Sequence, residues 1–447
     1  MLAQKVIVRG FAAAAAQAQS ASITSSIETK VSRLPNGLTA ASIDLNGPVS
    51  SIVLAYRAGS RYQQPDEGGV VHVLRNNFGK DSEKYLGVKL LWQMGGAGGN
   101  LSSYATKDLL AVQLDVVRDN SPVGVSLLGE FGSPALKAWD VEDAEHALAV
   151  DLKNQKPYDV LLDLFHKSAY RNGGLGIPLL AQPFQQHVDH HKLAAFARSR
   201  LVASEAVLLG VNVDHSDLLN YASQQSAVGE GKAGSPAESP YIGGLDTRQE
   251  GPTSVAHVLI GGEGTGLKDQ KAVAVQEVLA ALIGASAGLK FANSAVGGAG
   301  AVVSATVERA ANKRPVGVAP VNVVHADSGL VGVYVATDGQ YADTTVRAAY
   351  QALKTLAKDG AEADAFKAAQ KYAQLEALLH LEWPAHLALD QAHAVLSTGN
   401  LLAPSDLAAE IAKVSADDVK QAAKRIVDKP SMAAYGRIGQ VPYLDQL

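Results

Sequence analysis

One short stretch of the chain carries part of the residue pattern of a zinc-hydrolase helix. His72 is followed by Val73, Leu74, Arg75 and Asn76. In the inverted zinc motif His-x-x-Glu-His, two histidines one helical turn apart bind the metal, and the glutamate between them takes a proton from the bound water. The spacing therefore places Arg75 where that chemistry needs a carboxylate, and Asn76 where it needs a second imidazole.

Both substitutions remove the chemistry that such a helix would perform. The guanidinium of Arg75 keeps its proton in a protein, so it cannot act as a base, and it repels a dication. The amide of Asn76 is a poor replacement for imidazole on zinc. His72 alone remains of the motif, and a lone histidine on a helix is usually packed or solvated. The residues thus predict neither a metal site nor a catalytic residue here.

Two other patterns invite a functional interpretation. His386, Asp390 and His393 fall on one face of a predicted helix, and Pro384 interrupts the helix before them. A polar face of this kind is more often solvated than metal-binding, so we expect no site there. The glycine-rich run GGEGTG (261–266) lacks the Gly-Lys-Ser/Thr ending of a phosphate loop, which argues against a nucleotide site.

Composition narrows the classes of function further. The 447 residues are 47% apolar and 19% charged, which is typical of a globular protein with more than one domain. A net charge of −5 gives no basic surface for nucleic acid. The absence of cysteine excludes disulfides, thiolate zinc sites and cysteine-ligated iron–sulfur clusters. No stretch is apolar enough to predict a membrane span, so a role at a membrane would require partner chains.

The first 27 residues differ from the rest of the chain. Residues 1–27 are rich in Ala and Ser, contain Lys5 and Arg9, and have no acidic residue before Glu28. This composition predicts a mitochondrial presequence that can form a basic amphipathic helix. A disordered, alanine-rich tail is the alternative.

The remainder is predicted to consist of two similar halves. Residues 231–244 are rich in Gly, Ser and Pro, which predicts a linker between an N-terminal half, 28–230, and a C-terminal half, 245–447.

The same succession of segments occurs in both halves. Residues 95–117 are glycine-rich and then alternate like two strands before a helical run, and residues 296–310 followed by 321–339 repeat this order. The repeats lie roughly 220 residues apart, far longer than a solenoid period, which indicates a duplicated domain. Because strands and helices do not strictly alternate, the pattern favours an α+β fold.

Three further segments resemble the pitrilysin-type metallopeptidase family, which includes the mitochondrial processing peptidase and the core proteins of respiratory complex III. LPNGLTAAS (34–42), AGSRYQQPDEGGVVHVL (58–74) and FHKSAYRNGGLGIPLL (165–180) are similar to that family's landmarks, in the same order. The resemblance covers essentially the whole chain after residue 30. It implies two homologous α/β-sandwich halves that face each other around a cavity.

The resemblance also implies a third zinc ligand, a glutamate inside a later helix. The corresponding segment here is AEHALAVDLKNQ, in which Asp151 is the best match and is one methylene shorter. Compared with an active family member, the chain therefore keeps one ligand, His72. Arg75, Asn76 and Asp151 are degenerate positions.

Within the family, this chain resembles the core proteins more than the active peptidase, because its zinc motif is altered. This implies a non-catalytic scaffold on the matrix side of the mitochondrial inner membrane, with no cofactor of its own. Its expected partners are a homologous core protein 1 and the cytochrome b, cytochrome c-type and Rieske iron–sulfur subunits, which would attach it peripherally to the membrane. The alternative is the presequence-binding subunit of the processing peptidase, in which a degenerate chain binds basic presequences while its homologue supplies zinc.

Overall fold

The computed structural model describes residues 28–182, 188–224, 227–234, 239–251, 253–286 and 300–447. The predicted presequence and part of the predicted linker lie outside these residues.

Strands and helices follow one another in two similar series. The strands are β1 (Glu28–Arg33), β2 (Thr39–Asp44), β3 (Val49–Tyr56), β4 (Asn100–Ala105), β5 (Leu110–Val117), β6 (Ala206–Val211), β7 (Gly244–Gln249), β8 (Val255–Glu263), β9 (Val316–Val324), β10 (Gly329–Asp338) and β11 (Ser431–Gly436). The helices are α1 (Val70–Asn77), α2 (Gly87–Gly96), α3 (Ser121–Phe131), α4 (Ala138–Lys153), α5 (Pro157–Tyr170), α6 (His190–Arg200), α7 (His215–Gln224), α8 (Gln270–Ile283), α9 (Val303–Ala311), α10 (Ala342–Asp359), α11 (Ala363–Leu379), α12 (Pro384–Thr398), α13 (Pro404–Lys413) and α14 (Ala416–Asp428).

The strands form two mixed sheets with the same topology. The first has the order β1-β2-β6-β3-β5-β4, and the second has the order β7-β11-β8-β10-β9. The pairs β2–β6 and β7–β11 are parallel, and the other neighbours are antiparallel. The second sheet therefore repeats strands β2 to β6 of the first. This repetition confirms the predicted α+β fold with two homologous halves.

Local sequence explains why these elements form. Strand β3 contains the β-branched residues Ile52 and Val53, and every residue after Val49 is buried, as expected for a central strand. Helix α14 begins with a capping box in which Ser415 and Asp418 satisfy each other's backbone N–H groups. Its apolar residues Val419 and Ile426 recur at helical spacing and are buried in the core of the second half.

Each half also covers one face of the other half's sheet. Helix α5, from the N-terminal half, buries Phe165 against Leu259 and Ala433 of the second sheet. Helix α12, from the C-terminal half, buries Leu387 in a cluster with Val53 of the first sheet. Two apolar clusters therefore contain residues of both halves, and each joins a sheet to a helix from the other half.

One part of the predicted repeat is wrong. The segment 296–310 does not supply a strand in its described part, because α9 begins at Val303. Val303, Val307 and Ala311 are spaced four residues apart and are all buried, a helical pattern that prevails over the β-branched composition. The interruption predicted at Pro384 is confirmed, since α11 ends at Leu379 and α12 begins at the proline.

None of the helices in the described part of the chain is long and apolar enough to span a bilayer.

Candidate functional site

Two helices bring the degenerate motif together. Helix α1 carries His72, Arg75 and Asn76, and helix α4 carries Asp151 in its last turn. Helix α1 begins directly after Gly69, whose φ of 87° lies in the left-handed region that favours glycine.

The Asp151 carboxylate is the common acceptor of the site. Its Oδ2 atom accepts hydrogen bonds from Nε2 of His72 at 2.8 Å, Nη2 of Arg75 at 2.7 Å and Nδ2 of Asn76 at 3.0 Å. Arg75 also donates to Oδ1 of Asn76 from Nε at 3.2 Å and from Nη2 at 3.0 Å. The structure thus brings all four sequence-predicted positions into one hydrogen-bonded cluster.

Both ring nitrogens of His72 are engaged. The backbone N–H of Ala181 donates to Nδ1 at 3.2 Å, so Nδ1 must be the acceptor nitrogen. Nε2 therefore carries the proton and donates it to Asp151. Because one lone pair is occupied and the other nitrogen is protonated, the ring has no free electron pair for a metal ion.

Burial and charge set the protonation of this cluster. Burial lowers the pKa of His72, with a smaller contribution from the nearby charge of Arg75, although the hydrogen bond to Asp151 acts in the opposite direction. For Asp151, burial would raise the pKa, but hydrogen bonds from Asn76 and His72 and the charge of Arg75 together lower it. The folded cluster accordingly consists of a neutral imidazole, a carboxylate and a guanidinium.

The arrangement differs from that of a zinc hydrolase. A zinc hydrolase needs free ligand lone pairs, an open coordination position and a carboxylate base. Here the carboxylate is engaged by three donors, and the position of the base is held by the cation Arg75. What the cluster does provide is a polar connection between α1 and α4.

The side chains of the second histidine pattern bind different partners in the folded chain. Asp390 accepts a hydrogen bond from Nδ1 of His380 at 2.9 Å, while the ring of His386 stacks on Trp383. His393 instead lies near the first half, with Nε2 3.5 Å from a carboxylate oxygen of Asp108. Within the described ranges, no group of three or more acidic, histidine or cysteine side chains could hold a metal ion.

Sequence reasoning missed a buried charged cluster between the two halves. Arg61 donates to Asp108 at 2.7 Å and makes two bonds of 2.8 Å to Asp327. His325 contacts Asp108 on one side at 2.6 Å and His166 on the other at 3.0 Å. No local motif marks these residues, because the partners in these cross-half pairs are separated by 159 to 266 positions in the chain.

Two family models match the chain in succession. Residues 39–182 match the model described as Insulinase (Peptidase family M16), and residues 187–372 match the one described as Peptidase M16 inactive domain. The matches cover most of the chain, and the chain belongs to peptidase family M16, the pitrilysin-type family expected from its sequence.

Relatives similar over nearly the whole chain are subunits of two mitochondrial assemblies. Cytochrome b-c1 complex subunit 2 of Rattus norvegicus is 28% identical over 94% of this chain and 92% of its own length. Probable mitochondrial-processing peptidase subunit alpha-1 of Arabidopsis thaliana is 25% identical over 94% of this chain and 84% of its own length.

A solved structure shares the fold. A chain of complex III2 from Candida albicans, determined with Inz-5 bound, superposes with a TM-score of 0.80 at 18% identity and covers 94% of this chain and 98% of that chain.

Proposed function

We propose that this chain is a non-catalytic core subunit of mitochondrial ubiquinol–cytochrome c reductase, placed on the matrix side of the inner membrane. Nearly full-length similarity to subunit 2 of the cytochrome b–c1 complex supports this assignment, as does the fold shared with a chain of complex III2. In this role the chain acts as a scaffold. It pairs with a core protein 1 homologue and contacts the cytochrome b, cytochrome c-type and Rieske iron–sulfur subunits.

The loss of catalysis is carried by one observation, the occupied carboxylate of Asp151. Three donors converge on its Oδ2 atom, and one of them, Arg75, stands where the family's catalytic base would be. A guanidinium cannot take a proton from water, and its charge opposes a zinc ion at the same place. We therefore interpret His72, Arg75, Asn76 and Asp151 as a former metal site that now has a structural role.

Co-purification tests the scaffold role. An affinity-tagged chain is extracted from inner membranes in mild detergent, and haem absorbance is measured against the amount of tagged chain. We expect haem to elute with the chain in a constant ratio, and native electrophoresis to place both in one large complex. A tagged chain that elutes without haem would refute the proposal.

The alternative function is the presequence-binding subunit of the processing peptidase. Its support is the 24–26% identity to relatives named as alpha subunits of that peptidase. In that case the tagged chain would elute as a soluble heterodimer that cleaves presequence peptides. The same purification therefore separates the two functions.

A reconstruction experiment tests the interpretation of the former metal site. The triple variant Arg75→Glu, Asn76→His and Asp151→Glu restores the ligand types and the base of the zinc motif. We expect this purified variant to bind zinc stoichiometrically, and the same variant with His72→Gln to bind much less. Stoichiometric zinc in the unaltered chain would contradict the interpretation.

A further inference from the structure

The turn between β9 and β10 enters the N-terminal half and is held there by polar contacts. Asp327 receives two hydrogen bonds from the guanidinium of Arg61, whose side chain is 1% exposed. Tyr170 of α5 donates to the carbonyl of Gly329 at 3.0 Å. His325, at the other end of the turn, is buried. The turn therefore makes polar contacts with the N-terminal half: its ends, His325 and Gly329, are buried, whereas Asp327 is exposed.

A chain of three hydrogen bonds passes through His325. Nδ1 of His166 lies 2.8 Å from the carbonyl oxygen of Leu162, and Nε2 of His166 lies 3.0 Å from Nε2 of His325. Nδ1 of His325 lies 2.6 Å from Oδ2 of Asp108. Both ends of this chain, a carbonyl and a carboxylate, can only accept hydrogen bonds.

Counting protons assigns a charge to this pair of histidines. The carbonyl requires a proton on Nδ1 of His166, the carboxylate requires one on Nδ1 of His325, and the contact between the two Nε2 atoms requires a third. Two neutral imidazoles supply only two protons. The pair must therefore hold one additional proton and one positive charge.

The surroundings locate that charge on His325. Burial holds the pKa of His166 well below its usual range, and the charge of Lys107 acts in the same direction. Burial alone would raise the pKa of Asp108, but hydrogen bonds and charge from His325 and His393 hold it well below its usual range. Arg61 also binds the other oxygen of Asp108 at 2.7 Å, which favours the ionised carboxylate.

We propose that His325 is a buried imidazolium whose two N–H groups fasten the β9–β10 turn to the N-terminal half, and that removal of its proton loosens the contact between the halves. If the pair loses this proton, one of its three contacts must place two acceptors against each other: Nδ1 of His166 and the Leu162 carbonyl, the two Nε2 atoms, or Nδ1 of His325 and the Asp108 carboxylate. The charged and titratable groups around the two imidazoles are Arg61, Lys107, Asp108, Asp163, Tyr170, Asp327 and His393.

Nitrogen-15 NMR of the full-length chain, labelled at its histidine rings, tests the proposal directly. At pH 8 an exposed imidazole is neutral. We expect one of the 12 histidines to keep both ring nitrogens at imidazolium shifts at this pH. If every ring shows neutral shifts at pH 8, including the case in which the proton resides on Asp108, the proposal is wrong.

Two variants assign the signal. His325→Gln should abolish it, and Asp108→Asn, which keeps the side-chain shape but removes the negative charge, should shift the ring of His325 to the neutral form. His386→Gln, at an exposed histidine, should leave the signal unchanged. A signal that persists in both His325→Gln and Asp108→Asn would overturn the assignment. If His325→Gln does not fold, Asp108→Asn and the unaltered chain still decide the question.

Hydrogen exchange then tests the consequence for the interface. Loss of a charge-assisted hydrogen bond corresponds to about tenfold more frequent local opening. After correction for the intrinsic rate, we expect the amides of residues 325–329 to exchange about tenfold faster in Asp108→Asn than in the unaltered chain at pH 7. Equal exchange rates at pH 7 would show that the proton does not fasten the turn.

Discussion

At the level of single residues, His72, Arg75, Asn76 and Asp151 form a charge-balanced cluster. A guanidinium and a carboxylate now attract each other where the family motif would place a base and a ligand around a dication, and His72 and Asn76 complete the hydrogen bonds. Hydrogen bonds that involve an ionised partner are roughly twice as strong as neutral ones, so the cluster can hold α1 against α4 without metal.

Removing the shared acceptor should destabilise the chain. Asp151→Asn replaces the ionised acceptor of three hydrogen bonds by a neutral amide, and we expect it to lower the free energy of unfolding by about 2 kcal/mol in urea titrations. Asp143→Asn is the control, because Asp143 lies on the same helix but forms only an exposed ion pair with Lys80. The control should cost less than about 0.5 kcal/mol. Equal losses in the two variants would contradict a structural role for Asp151.

The buried His72 predicts a dependence of stability on pH. Its pKa is lowered in the folded chain, so the unfolded chain binds more protons below the ordinary value of about 6.5. The contribution of His72 to the free energy of unfolding is therefore fully present above that pH and is lost as the pH falls. Between pH 7.5 and 5.5, we expect the free energy of unfolding to fall by about 1 kcal/mol less in His72→Gln than in the unaltered chain.

The matched control for this titration is His386→Gln, at an exposed position. It should show the same pH dependence as the unaltered chain. If His72→Gln and the unaltered chain lose stability in parallel, the neutral state assigned to His72 is incorrect.

At the scale of elements, the main feature is the exchange of helices between the halves. Helices α5 and α12 each leave their own half and cover the other sheet. Both begin with a proline at the first helical turn, where the missing N–H has no consequence and the fixed φ favours helix initiation. Local sequence thus determines where these helices begin, but their packing partners belong to the other half.

Shortening a large side chain on the packed face of an exchanged helix should lower the free energy of unfolding strongly. Phe165 of α5 is fully buried against the second sheet, and Phe165→Ala should lower the free energy of unfolding by about 4 kcal/mol, since it removes a large apolar side chain and leaves a cavity. Trp139→Ala, at a side chain that is 62% exposed, should cost less than about 1 kcal/mol. Similar losses in both variants, measured by urea unfolding, would contradict the packing described for α5.

At the scale of the whole molecule, duplication and exchange together make the two halves interdependent. Each sheet has the strands of a complete half, yet one apolar face of each packs against a helix from the other half. The buried cluster of Arg61, Asp108 and His325 adds charges that find their partners across the interface. Contacts of this kind between the halves hold their outer surfaces in a fixed relative orientation.

Separation of the halves should prevent folding. A fragment of residues 28–230 lacks α12, which leaves Val53 and its apolar neighbours on the first sheet exposed to water. We expect this fragment and the fragment 231–447 each to be digested rapidly by thermolysin when expressed alone, and to co-purify as a resistant pair when expressed together. Cooperative unfolding of the isolated 28–230 fragment would contradict this interdependence.

The duplicated α+β organisation and the altered zinc motif could both be predicted from the sequence, because both depend on short-range patterns. Alternation marked the strands within residues 95–117 and 321–339, and the residue types at positions 75 and 76 predicted the absence of hydrolytic chemistry. The same local reasoning failed at α9, where helical burial of Val303 and Val307 outweighed their β-branched character.

The partners of the polar residues could not be predicted in this way, because they depend on how the chain folds. The convergence of three donors on one oxygen of Asp151, the exchange of α5 and α12, and the contact between His325 and Asp108 all join residues far apart in the chain. A buried charge must find a partner, but nothing in its local sequence specifies which distant residue supplies it. That choice depends on how the two sheets and their covering helices pack.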